Sequence, residues 1–198
     1  MSAGFRVTQS AYAAALGVWC GALAMLGLAA AAAFEVIPRY EPALGRPPFD
    51  APPLAERASQ VLAGAVVNQS LSALSVLGAA AVAVAVASAA VQCWAYPDRL
   101  SRGGVSAPNV LRIGLLVILA GLVFYDRLSL SPAVDAMLAV MYDPHATPMM
   151  RQDARYRFDI LHARSELLHQ ATLLLALVAL AVAPFCYRVP SPHRGLGR

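Results

Sequence analysis

Lysine is missing from this 198-residue chain: all 15 basic residues are arginine. Charge of either sign is scarce, at 13% of residues against about 25% in a soluble domain. That shortage excludes an intrinsically disordered chain and an ordinary cytosolic enzyme. The arginines give a net charge of +4 but form no block, which excludes a nucleic-acid-binding footprint. The missing lysine, beside abundant alanine, reads as the codon usage of a GC-rich genome. Cys20, Cys93 and Cys186 lie far apart without CxxC spacing, so neither a disulfide framework nor a zinc site is expected. No GxSxG, HExxH, phosphate loop or dinucleotide glycine fingerprint occurs. The chain is therefore read as non-enzymatic.

What it has in abundance is apolar surface: 59% hydrophobic residues and a mean hydropathy of +0.61. Four segments approach the roughly 20 apolar residues that a 30 Å hydrocarbon core requires. They centre on Ala11–Phe34, Leu71–Val91, Val110–Tyr125 and Ala171–Tyr187. The first is longer than the 7–15-residue core of a signal peptide, so a retained anchor is expected. The expectation is an all-α fold: a single membrane domain over 1–198, with helices at about 11–34, 54–95, 109–130 and 148–187. A proline-rich external loop covers 35–53. A second external loop, 131–147, carries a short amphipathic helix opened by Ser131-Pro132 and broken by Asp143-Pro144. Thr147-Pro148 reads as the cap and first residue of the last helix.

Orientation follows the arginines. With four crossings, the N-terminus, the 96–109 loop and the C-terminus share a side holding Arg6, Arg99, Arg102, Arg188, Arg194 and Arg198 against Asp98 alone. Arg112 is expected to snorkel to that same face. Both termini are thus expected in the cytoplasm, with the chain in the plasma (inner) membrane.

Polar groups collect at the opposite helix ends. His162, Glu166 and His169 fall at i, i+4 and i+7 on one helical face, and Phe158 extends it by a turn. Glu166-x-x-His169 is also a di-iron ligand spacing, but the second pair that such a site needs is missing. Glu35, Asn68, Gln69, Asp126, Arg127 and Ser165 are placed in the same leaflet by an antiparallel topology. Two readings of this cluster stay open: structural pairing between helices, or a site that binds a cation or relays protons, with His162, Glu166 and His169 as ligands. No cofactor, or at most a weakly bound metal ion, is expected. Met137, Met141, His145, Met149 and Met150 suit copper(I) chemically, although Pro144 and Pro148 prevent one continuous helical face. Gly17 and Gly21 form a GxxxG pair for close helix approach, inside the bundle or in a homo-oligomer. The bilayer is the expected partner, together with a second membrane protein or copy; nucleic acid is not.

Two stretches carry a resemblance. Leu16-Gly-Val-Trp19-Cys-Gly21, followed by small residues to Phe34, resembles the opening of the transmembrane protein 205-like family (domain of unknown function 4149). Phe158-x-x-Leu161-His162-x-x-Ser165-x-x-Leu168 resembles that family's closing signature. The resemblance implies a small four-helix membrane protein without an established activity, and singles out Trp19, Gly21, Phe34, Phe158, His162 and Ser165. Its size and hydropathy are also similar to the copper-resistance D membrane domain, which keeps metal handling as an alternative. A structural or partner-binding membrane subunit is the second alternative.

Overall fold

Long apolar runs satisfy their own backbone polar groups most readily as helix, and helix is what these runs form. The computed structural model describes residues 3–36, 58–100, 106–143 and 145–187, and of 58–65 and 68 the backbone alone. Helix α1 spans Ala3–Val36 and α2 spans Ala58–Ala95; a short 3₁₀ turn follows at Pro97–Arg99. Helix α3 spans Ala107–Tyr125, α4 spans Ser131–Tyr142 and α5 spans Pro148–Val182, ending in a 3₁₀ turn at Ala183–Cys186. An isolated antiparallel bridge joins Leu100 to Tyr187. Among the described residues, four stretches are long and apolar enough to cross a membrane: Ala3–Val36, Gln69–Ala95, Ala107–Tyr142 and Pro148–Cys186.

The third stretch differs from its expected form. The helix over Ser131–Tyr142 is present, but it continues α3 instead of standing apart in a loop. A π-helical turn at Asp126–Leu130 joins them, and the Ser131 N–H closes onto the Asp126 carbonyl. Residues 126, 130 and 131 all keep right-handed helical dihedrals. Pro132 explains the wide turn: its ring cannot donate and would meet the preceding turn's carbonyl in a regular helix. The rod ends at Asp143, whose backbone is extended. Thr147 then caps α5 by accepting from the Met150 N–H at 3.3 Å.

Neighbouring helices run antiparallel, so the start of α1, the end of α2, the start of α3 and the end of α5 meet at one end. Phe5 makes edge contacts there with Tyr96 and Tyr187, at ring separations of 5.7 and 5.5 Å. We call this the terminal end and the other the distal end. The core is built from Leu16, Leu23, Leu116, Leu119 and Val123 with a smooth partner surface of Ala81, Ala85, Ala89, Ala176 and Ala179. Small residues let backbones approach closely where lipid offers no hydrophobic force between helices.

The glycine that closes a helix contact is not one of the expected pair. A Cβ at Gly78 would collide with the Trp19 indole, which lies 3% exposed between α1 and α2. Gly17 and Gly21 instead sit on the exposed face of α1, with nothing within 4 Å of the position a Cβ would take. Packing inside the bundle is therefore not their role. Beyond Leu23, no residue of α1 is buried.

Replacing Gly78 by Val should cost about 1–3 kcal/mol by overpacking. The Gly17→Leu/Gly21→Leu double variant should unfold at the wild-type temperature. Thermal unfolding of detergent-purified monomer checks both outcomes.

Candidate functional site

Where α1 loses its buried contacts, a cavity of about 690 Å³ opens between its distal half, α2 and α5. The reason lies in side-chain size. Ala24, Gly27, Ala30 and Ala31 line the α1 wall and cannot fill the space that faces Leu71 and Leu173. Phe34 stands at the distal end of this wall, and the α5 wall carries His162, Ser165, Glu166, His169 and Gln170.

Helical spacing puts these α5 groups together, and the structure resolves how each is engaged. His162 Nε2 lies 3.3 Å from Glu166 Oε1, with the two side chains 47% and 64% exposed. The imidazole also stacks on Phe158, at 5.5 Å between centroids and 10° between planes. His169 turns back onto its own helix: Nδ1 donates to the Ser165 carbonyl at 2.7 Å and lies 3.3 Å from the Ser165 hydroxyl. A carbonyl oxygen only accepts, so Nδ1 carries a hydrogen in this contact.

Ser165 and His169, with Leu71 of α2, also line a smaller hollow of about 40 Å³. Its further walls are Asp126, Arg127, Ser131 and Asp135. Asp126 is buried, accepts a hydrogen bond from Ser131 and shares the hollow with His169 and Arg127. The π-helical turn makes this arrangement, because it carries Asp126 and Ser131 in one widened loop of backbone.

Of the polar cluster expected from sequence, His162, Ser165, Glu166 and His169 therefore share one cavity, while Asp126 and Arg127 share the smaller hollow. Glu35 and Gln69 line neither, and the side chain of Asn68 lies outside the described residues. The expected ligand triad is not assembled as a metal centre: among the described residues no three His, Cys, Asp or Glu side chains gather to hold an ion. His162 and Glu166 pair, whereas His169 is committed to Ser165. The methionine set is also divided: Met137 and Met141 are half-buried on α4, while His145, Met149 and Met150 are exposed.

Compared with family models, curated proteins and solved structures, this chain matches none.

The most heavily built polar group lies at the terminal end. Arg112 does not snorkel outward; it is 0% exposed. Its Nη1 donates to Gln92 Oε1 at 2.9 Å and to the Tyr187 hydroxyl at 3.2 Å, and its Nη2 donates to Asn109 Oδ1 at 2.8 Å. The guanidinium carbon sits 5.3 and 5.7 Å from the ring centroids of Tyr12 and Tyr187. Tyr12 in turn donates to the Ala179 carbonyl, and Asn109 Nδ2 donates to Cys93 Sγ. One side chain thus joins α1, α2, α3 and the end of α5. Tyr187 lies just past the last candidate span, and burial pushes its hydroxyl above the ordinary phenol range, against the pull of Arg112.

Sequence reasoning reads Arg112 as an interfacial charge because it stands near the start of α3. The signal that points elsewhere is its company: Gln92 on α2 and Asn109 one helical turn earlier are the polar groups that can face it from two helices.

Replacing Arg112 by Leu removes the donor to Gln92 Oε1 and Asn109 Oδ1, at about 1–3 kcal/mol for each acceptor that loses it. Arg112→Lys should recover part of the loss, since an ammonium lacks the planar fork. The Arg112→Leu/Gln92→Leu/Asn109→Leu triple variant should recover most of it. Unfolding in detergent, followed by circular dichroism, measures all three.

Proposed function

We propose that this chain is a non-enzymatic multi-pass membrane protein that binds a cation at its distal end, away from the closed terminal end. The observation that carries this reading is Glu166 on the wall of the 690 Å³ cavity, paired only with a histidine among the described residues. Among the described residues no arginine lines the cavity to offset this carboxylate, and a carboxylate beside apolar walls attracts a positive group. The absence of a three-ligand cluster among the described residues favours a bulky, weakly hydrated monocation over a bare metal ion. Ser165 and His169 border both hollows, so they connect this site to Asp126 and give protons a route to it.

Two further parts belong to the proposal. Placement in the inner membrane with cytoplasmic termini rests on the arginine distribution. Kinship with the transmembrane protein 205-like family rests on the quoted sequence motifs alone; of their residues, Phe34, His162 and Ser165 line the cavity.

A carboxyl-directed carbodiimide tests the cation site. Tetramethylammonium, at constant ionic strength, should slow modification of Glu166 by about threefold, in line with the weak pairing of a part-exposed charge. Intact-mass spectrometry follows the adduct, and Glu166→Gln identifies its position. A rate unchanged by the cation contradicts the reading.

A further inference from the structure

We infer that the ligand is an amphiphilic monocation, with its charged head beside Glu166 and its apolar tail along the small-residue wall of α1. This rests on the cation reading given above and adds the tail.

The cavity is divided chemically along its length. Among the described residues, Glu166 is the one carboxylate that lines it, and no arginine does. An anionic head would meet a fixed negative charge with no cation to offset it, so the head is positive or neutral. The remaining wall offers almost no polar partner. Along α1 the lining from Leu23 to Phe34 is wholly apolar, and α2 adds Val67 and Leu71. By helix rise, that wall runs for about 16 Å. A compact, wholly polar ion would leave most of this surface unfilled and unsolvated, whereas an alkyl chain matches it. The volume falls in the usual range for small-molecule pockets, about 300–1,000 Å³.

The wall is built to stay open. Ala24, Gly27, Ala30 and Ala31 present little volume, and none of them is buried against a neighbouring helix. In contrast, one turn below Leu23 the indole of Trp19 fills the same α1–α2 space completely. The void therefore begins where the bulky residue stops.

An alkyltrimethylammonium with a diazirine in its tail tests this directly in lipid nanodiscs. After illumination, adducts mapped by mass spectrometry should concentrate on α1 residues 23–34. Excess hexadecyltrimethylammonium should remove most of them, and hexadecyl sulfate should not. Glu166→Gln should abolish the preference for the cationic head. Ala30→Trp should abolish the α1 adducts while the unfolding temperature stays at the wild-type value. Adducts scattered over the outward faces, equal for cationic and sulfate heads, overturn the inference. In that event, tetramethylammonium protection of Glu166 tells the two readings apart: protection retained removes only the tail, and protection lost removes the cation site as well.

Discussion

Arg112 carries a full positive charge at a position with no exposure, and the acceptors it donates to among the described residues, Gln92, Asn109 and Tyr187, are amides and a phenol. Such a charge is costly unless the surroundings stand in for its water. Here the replacement comes from four different elements: Tyr12 on α1, Gln92 on α2, Asn109 on α3 and Tyr187 after α5. Holding one guanidinium therefore requires all of these to converge, and the terminal end closes around it. Phe5, Tyr96 and Tyr187 seal the same end with edge-to-face contacts, the preferred geometry for aromatic pairs.

The distal end is shaped by the opposite circumstance. No single group among the described residues gathers the helices there, and no residue of α1 beyond Leu23 is buried. The Trp19–Gly78 contact marks the boundary between the two regimes. Below it, Phe5, Tyr12, Leu16 and Trp19 of α1 are buried against the other helices. Above it, the bundle opens into the cavity, and the polar groups of α5 occupy one wall. The closed end thus fixes the helix directions that hold the other end open.

Much of this is legible in the chain, and the exceptions have physical causes. Hydropathy locates the four long helices, because the length of an apolar run is a one-dimensional property. The face shared by His162, Glu166 and His169 follows from helical periodicity alone. Periodicity does not tell which of them pair, since His169 has its own backbone as a competing partner. The GxxxG pair misleads for a related reason: small residues permit close approach without specifying the face on which it happens. Gly78 is inconspicuous inside an alanine-rich run, although only its lack of a Cβ admits the Trp19 ring. Pro132 has the pattern of a helix opener, and a π-helical turn absorbs it instead. Arg112 departs furthest from expectation, because its partners lie on helices whose mutual approach no local pattern records.

The most direct test of a bundle closed at one end and open at the other is thiol accessibility to a polar maleimide in detergent. Cys93 lies beside Asn109 and Cys186 is fully buried, both at the terminal end, whereas Ser165 borders both distal hollows. A Ser165→Cys variant should be labelled promptly while the buried Cys20 and Cys186 stay unmodified. Labelling of Cys186 as fast as residue 165 would show that the terminal end is not sealed and would contradict the account.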